Sequence, residues 1–170
     1  LHGAVYTAGV EGLTPLRAFS EEMARTIMET SFWGAIKAMQ LVNQRKFSVD
    51  GCSSVLFSSI SAYTGASSMF AYSAAKAAVQ AAARSIAKEI CRNGKRINTI
   101  SPGWVSTEMT HRAVQEAAED MMGIVEERCL LGLGKPADVS GFVLFLLSER
   151  ARWITGKDFI VDGGYLWGDG

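Results

Sequence analysis

Two hydrophobic periods alternate along this chain. Short apolar runs bounded by turn residues predict buried strands, whereas longer segments with an apolar residue every three or four positions predict amphipathic helices. The first pattern predicts four strands, each followed by small or turn-forming residues. These strands are residues 4–7, 54–58, 96–100 and 158–162.

The helical segments carry recognisable start signals. Ser20 precedes two acidic residues, which is the pattern of a helix N-cap and first turn, and Pro136 suits a first helical position. The predicted helices are residues 21–46, 69–91 and 136–147, with a loop over 61–68 and short helices within 105–134.

Strands that alternate with helices favour an α/β fold, in which a doubly wound parallel sheet carries helices on both faces. A length of 170 residues predicts one domain, residues 1–170. In such sheets, ligands bind at the carboxyl ends of the strands. We therefore expect the functional residues to lie beside Gly9, Ser59, Gly103 and Gly164, which follow the four predicted strands.

Composition narrows the function class. The 17 basic and 17 acidic side chains balance, which argues against a nucleic-acid or anionic-membrane partner, and the longest strongly apolar run, residues 142–147, is too short to span a bilayer. The three widely spaced cysteines predict free thiols in a reducing cytoplasm. His2 and His111 lack metal-ligand spacing, so no metal site is expected.

Tyr72 and Lys76 are the most informative pair of residues. They lie four positions apart on a predicted helix, so both side chains share one face. A nearby ammonium favours the phenolate, which predicts that Lys76 lowers the pKa of Tyr72 towards the range useful for general acid–base catalysis. The alternative is an ordinary amphipathic helix with a lysine stem along its apolar surface.

Taken together, five ordered motifs resemble the short-chain dehydrogenase/reductase family. The motifs cover nearly the whole chain, and their residues are Ser59, Tyr72-x-x-x-Lys76, Asn98 with Pro102-Gly103-x-x-x-Thr107, residues 134–139, and Thr155-Gly156 with residues 161–164. They match the compact single-domain branch, which is similar to 3-oxoacyl-acyl-carrier-protein reductases. The resemblance implies a C-terminal portion of a Rossmann-type NAD(P)-binding domain.

The resemblance also implies a reaction and the residues that perform it. Tyr72 would act as the general acid or base at a carbonyl or secondary alcohol, while Lys76 would tune its pKa and bind the nucleotide ribose. Ser59 would hydrogen-bond the substrate oxygen. Ser31 stands where the family has a proton-relay asparagine, and whether a serine serves that role stays open.

Further residues acquire roles through the same resemblance. Ser61 is either a pocket residue or a loop-capping serine, Trp104 is a candidate for shaping the substrate pocket, and Asn98 is expected to be structural. Thr7 replaces a family asparagine, which leaves its cofactor contact open. Residues expected to contact NAD or NADP, besides Tyr72 and Lys76, are Ala8, Gly9, Pro102, Gly103, Val105 and Thr107.

The sequence departs from the family at its start. It contains no GxxxGxG or GxGxxG loop, which in the family follows the first strand and binds the pyrophosphate. We therefore expect the chain to be a fragment of an active reductase, with weak cofactor binding and little or no turnover by itself.

One alternative comes from another class of protein, and one comes from within the enzymes. A non-catalytic remnant would keep the family's homodimer or homotetramer surface on its long helices. A nucleotide-sugar epimerase also uses YxxxK, but the closing strand leaves no room for its larger substrate domain. The substrate stays open among a 3-oxoacyl thioester, a sugar-derived ketone and a steroid-like alcohol, because residues 105–134 carry no readable motif.

Overall fold

A computed structural model describes residues 1–116 and 121–168. Its centre is one sheet of four parallel strands in the order β1-β2-β3-β4, which confirms the predicted α/β class. β3 runs two residues further than predicted because Ser101 and Pro102 still pair with β4. The strands are β1 (Gly3–Tyr6), β2 (Ser53–Phe57), β3 (Arg96–Pro102) and β4 (Asp158–Val161).

Seven α-helices lie in the described part of the chain. The predicted N-cap is confirmed, since Ser20 Oγ accepts a hydrogen bond from Met23 N–H at 3.2 Å. None of the described helices has the length and apolar character that a membrane span requires. The helices are α1 (Glu21–Met28), α2 (Gly34–Val42), α3 (Ser61–Thr64), α4 (Phe70–Ile90), α5 (Glu108–Glu116), α6 (Met121–Arg128) and α7 (Pro136–Leu147).

The single helix predicted over residues 21–46 differs from the structure in two ways. A π-helical turn, Glu29–Trp33, separates α1 from α2, and α2 ends at Val42. The early end follows from Asn43, whose Nδ2 donates to Met39 O at 2.8 Å and so uses a carbonyl near the helix end.

The loop predicted over residues 61–68 was partly wrong. One turn of helix, α3, forms at its start, and Gly65 ends it with a φ of +61°, a left-handed conformation that glycine adopts without a steric penalty. The short helices predicted within 105–134 correspond to α5 and α6, and residues 117–120 lie outside the described residues.

The sheet is covered on both faces. Leu56 and Ile97 pack against α2 and α4 on one face, whereas Val55 and Ile100 pack against α7 on the other. Neighbouring residues of β2 thus enter opposite cores, as the two-residue period of a strand requires. Fully burying a side chain such as Leu56 contributes roughly 1.5–3 kcal/mol to the free energy of unfolding. The hydrophobic cores on the two faces of the sheet therefore hold the strands in place.

A buried arginine closes the carboxyl end of α7. Arg96, on β3, is 6% exposed, and its guanidinium donates to Leu146 O at 2.9 Å, Ser148 O at 3.1 Å and Ile154 O at 3.3 Å. The last carbonyls of a helix have no partner within the helix. Arg96 therefore replaces solvent as their donor.

We expect Arg96→Met to lower the free energy of unfolding by about 2–4 kcal/mol, because three carbonyl oxygens each lose a hydrogen bond from a charged donor and keep one other donor. Arg96→Lys should recover only part of this loss, since an ammonium cannot reproduce the planar fork. Urea unfolding followed by circular dichroism measures both. The control is Arg25→Met, at a side chain that is 75% exposed, with an expected change below about 1 kcal/mol. Equal effects of Arg96→Met and Arg25→Met would contradict this assignment.

Candidate active site

The carboxyl ends of β1, β2 and β3 open into one cleft of about 680 Å³. Its position agrees with the rule for open parallel sheets. Eight of the twelve residues predicted to act in catalysis or in cofactor or substrate binding line this cleft, as does Thr7, whereas Ala8, Ser31, Ser61 and Trp104 do not. The eight are Gly9, Ser59, Tyr72, Lys76, Pro102, Gly103, Val105 and Thr107.

Tyr72 and Lys76 lie on α4 with their side chains turned inwards. Tyr72 is 8% exposed and Lys76 is 4% exposed. Lys76 Nζ lies 5.5 Å from the centre of the Tyr72 ring and donates to Phe57 O, at the end of β2, at 2.9 Å. The ammonium is therefore held between the tyrosine ring and the strand that leads to Ser59.

Burial dominates the electrostatics of this pair. It raises the pKa of Tyr72 to about 12; the hydrogen bond from Ser59 acts in the opposite direction, and the charge of Glu11 raises the value further. Burial also lowers the pKa of Lys76 to about 8. The sequence-based expectation that Lys76 lowers the pKa of Tyr72 is wrong for this structure, because loss of hydration dominates the shift and raises the pKa.

Ser59 follows β2 and precedes α3. Its Oγ accepts from Ser61 N–H at 3.1 Å and donates to Ser61 Oγ at 3.2 Å. Ser61 therefore contacts Ser59 and does not line the cleft, and the side chain that caps the start of α3 is that of Ser59. These contacts fix the rotamer of Ser59 beside the Tyr72 phenol.

A small space lies between Gly9, Ser31 and Lys76. A Cβ placed on Gly9 would be 3.2 Å from Lys76 Nζ and 3.4 Å from Ser31 Oγ. Ser31 is 1% exposed, and its Oγ has no hydrogen-bond partner among the described residues. Glycine at position 9 thus lets two polar atoms lie close to the backbone at a point that any larger residue would crowd.

The segment after β3 is fixed by close backbone contacts. A Cβ on Gly103 would lie 2.6 Å from Asp162 Cα, so only glycine fits, and Gly103 N–H donates to Val161 O at 2.9 Å. Thr107 Oγ1 accepts from Thr110 N–H at 3.3 Å at the start of α5. Val105 and Thr107 therefore reach the cleft wall on a rigid loop.

Two other sequence-based assignments have clear positions. Trp104 packs with Tyr165, with ring centres 6.4 Å apart, and does not line the cleft. Asn98 is fully buried; its Nδ2 donates to Ile154 O at 3.0 Å and its Oδ1 accepts from Lys157 N–H at 3.1 Å, which confirms its structural role.

Sequence reasoning missed several residues around the site. Glu11 acts on Tyr72 through its charge, and Met109 and Ser140 line the cleft. No motif or spacing marks them, because they meet the cleft only after the chain folds. Within residues 1–116 and 121–168, no group of three His, Cys, Asp or Glu side chains could hold a metal ion.

Comparison with known proteins identifies the family of this chain. A family model described as enoyl-(acyl carrier protein) reductase matches residues 1–166. The chain is 31% identical over 160 residues to 3-oxoacyl-[acyl-carrier-protein] reductase MabA of Mycobacterium tuberculosis. The aligned region is 94% of this chain and 64% of MabA. It superposes on a short-chain type dehydrogenase/reductase from Mycobacterium ulcerans with a TM-score of 0.90 and 27% identity, over 100% of the chain and 62% of that structure. The chain belongs to the short-chain dehydrogenase/reductase family.

Another member with a similar structure is 4-hydroxyisoleucine dehydrogenase, solved in complex with NADH. It is 26% identical, with a TM-score of 0.86, over 99% of this chain and 70% of that structure. The chain spans 64% of the length of the first curated relatives that it matches.

The pKa of Lys76 predicts a pH dependence of stability for this family member. The pKa of Lys76 is 10.5 in the unfolded chain and about 8 in the folded protein, so the folded lysine loses its proton at a lower pH. Between these values the unfolded chain binds more protons, so Lys76 makes stability rise with pH. Between pH 10 and about 12, the raised pKa of Tyr72 makes stability fall with pH. The effect of Lys76 is therefore measured best between pH 8 and pH 10.

We therefore expect the wild type to gain about 2 kcal/mol of unfolding free energy relative to Lys76→Met between pH 7.5 and pH 10. Denaturant unfolding at several pH values measures this difference. The matched control is Lys37→Met, at a side chain that is 70% exposed. A wild-type and Lys76→Met difference that stays constant across this window would show that burial does not lower the pKa of Lys76.

Proposed function

We propose that the natural protein carrying this sequence is an NAD- or NADP-dependent oxidoreductase that acts on a small-molecule carbonyl or secondary alcohol. The observation that carries the proposal is the buried Tyr72 and Lys76 pair beside Ser59, at the carboxyl ends of the strands. Family membership supports the same reaction class. A cytoplasmic location is part of this proposal.

The geometry suits Tyr72 as a proton donor. With a pKa of about 12, its phenol is protonated at neutral pH, so it can give a proton to a carbonyl oxygen during reduction. The pKa of Lys76, about 8, keeps the amine largely charged at pH 7, and this charge stabilises the phenolate that forms. Ser59 Oγ is placed to hydrogen-bond the same substrate oxygen.

The residues on the cleft wall fit a nicotinamide cofactor. The space above Gly9, which a Cβ would fill, leaves Lys76 Nζ accessible, and Gly103 allows the loop after β3 to lie close to β4. We propose that Ala8, Gly9, Tyr72, Lys76, Pro102, Gly103, Val105 and Thr107 hold NAD or NADP. When bound, this cofactor supplies or accepts the hydride, as the complex of 4-hydroxyisoleucine dehydrogenase with NADH exemplifies.

Ser31 is proposed as part of the proton path. Its hydroxyl is buried and lacks a partner among the described residues, and it lies beside the same Gly9 space as Lys76 Nζ. A polar atom in such a place is costly unless a water or substrate group pairs with it.

We expect Tyr72→Phe to lower kcat by about 10²–10⁴-fold while cofactor binding persists, because the variant removes only the transferable proton. Turnover follows from the absorbance of the reduced nicotinamide, and binding from its fluorescence. The matched control is Tyr63→Phe, which removes a phenol that donates to Asp158 Oδ2 at 2.6 Å and does not line the cleft. Full turnover by Tyr72→Phe with active wild-type protein would exclude the assigned role.

Exposed apolar side chains favour a second candidate, an oligomerisation module. Trp33 (46% exposed), Leu41 (53%) and Phe70 (44%) lie on or beside the long helices, and such residues are typical of homodimer or homotetramer interfaces. A module without catalysis would assemble normally in sedimentation experiments and show no hydride transfer. An oxidoreductase would show both properties, with only turnover lost in Tyr72→Phe.

A further inference from the structure

The π-helical turn before α2 removes a hydrogen bond from one carbonyl. Gly34 N–H donates to Glu29 O, five residues earlier. In an α-helix the same N–H would donate to Thr30 O, four residues earlier. Thr30 O therefore lacks its regular α-helical donor, which is a known consequence of a π turn within a longer helix.

A tyrosine from the sheet supplies the missing donor. Tyr6, the last residue of β1, donates from its Oη to Thr30 O at 2.6 Å. A Cβ on Gly34 would overlap Tyr6 Oη and lie 3.1 Å from Tyr6 Cζ. The absence of a side chain at position 34 therefore makes room for the phenol.

The residue after Thr30 is Ser31, and the π turn sets the direction of its side chain relative to Lys76. Ser31 follows directly in the π turn, is buried, and has an Oγ without a partner among the described residues. Its Oγ borders the space above Gly9 that Lys76 Nζ also borders. A change in the π turn would rotate Ser31 and separate these two polar atoms.

We propose that Tyr6 and Gly34 are positioning residues that hold the π turn and thereby direct the Ser31 hydroxyl towards Lys76. Tyr6 supplies the hydrogen bond, and Gly34 supplies the room for it. The structural half of this inference stands independently of the reaction. Its catalytic half rests on the proposed oxidoreductase function.

The catalytic consequence concerns proton resupply. Each reduction moves one proton from the Tyr72 phenol to the product oxygen, and the phenolate must recover one proton from solvent. With Ser31 beside Lys76, that proton has a buried polar route. Without the π turn, the recovery slows while the cleft that binds the substrate stays in place.

The structural test compares Tyr6→Phe with Tyr63→Phe in the natural protein. Each variant removes one phenol hydroxyl that makes a 2.6 Å hydrogen bond, but only Tyr6 contacts the π turn. By NMR hydrogen exchange, we expect the Gly34 amide to exchange at least about tenfold faster in Tyr6→Phe and at the wild-type rate in Tyr63→Phe. Equal Gly34 exchange in both variants would overturn the proposal.

A double-mutant cycle tests the pairing of Tyr6 with Gly34. We expect Gly34→Ala to lower the melting temperature in the wild type, because the new methyl group displaces the phenol. In a Tyr6→Ala background the same change should be neutral or stabilising, since alanine favours the helix over glycine. Additive effects of the two substitutions would show that Tyr6 and Gly34 do not interact.

The catalytic test separates positioning from a general loss of folded enzyme. We expect Tyr6→Phe to lower kcat by about tenfold, with KM unchanged and with an altered pH profile of kcat. A loss of folded protein would scale kcat equally at every pH and leave the profile unchanged. Altered Gly34 exchange with an unchanged kcat profile would overturn the link to Lys76, whereas an inactive wild type would refute the oxidoreductase and leave the exchange result valid.

Discussion

Two crossed hydrogen bonds between α4 and the end of β2 determine the geometry of the cleft. Lys76 Nζ donates to Phe57 O at 2.9 Å, and Ser58 Oγ donates to Lys76 O at 3.0 Å. The side chain and the main chain of one lysine therefore hold Phe57, the last residue of β2, and Ser58, which follows it, and Ser59 is the next residue. Gln80 extends the network to β3, since its Nε2 donates to Ser58 Oγ at 3.0 Å and to Ser101 Oγ at 3.1 Å. This network fixes Lys76 relative to the chain segment that leads into Ser59, and Tyr72 lies one turn before Lys76 on the same helix.

This arrangement has an electrostatic cost that is informative about function. A lysine that is 4% exposed and has no salt bridge to a carboxylate within residues 1–116 and 121–168 is destabilising in its charged form. A structural role would be served as well by an apolar residue of similar size. Retention of an ammonium here is easier to explain if the charge acts on something in the cleft, as perturbed ionisable groups in clefts commonly do. Tyr72 shows the complementary effect, because burial raises its pKa and keeps the phenol protonated at neutral pH.

Much of the fold could be predicted from the sequence because it follows from short-range periodicity. The strands and α7 appeared close to their predicted bounds, since two-residue and 3.6-residue patterns report directly on which face is buried. The spacing of Tyr72 and Lys76 likewise established that they share a helix face. Spacing contains no information on burial depth, however, and for this reason the direction of the Tyr72 pKa shift was predicted wrongly. Local spacing also could not predict that Trp104 lies away from the cleft, because its packing on Tyr165 joins distant parts of the chain.

The π turn shows where local prediction ends and tertiary structure begins. Residues 29–33 have no composition that distinguishes them from an ordinary helix, and the apolar spacing continues through them. What makes the turn stable comes from outside the helix, since a phenol on β1 donates to the carbonyl that the turn leaves free. Gly34 alone would read as a weak point in a helix, and Tyr6 alone would read as a strand residue. Their complementary sizes become meaningful only when the sheet and helix are brought together, and the same contact then sets the direction of the buried Ser31 hydroxyl.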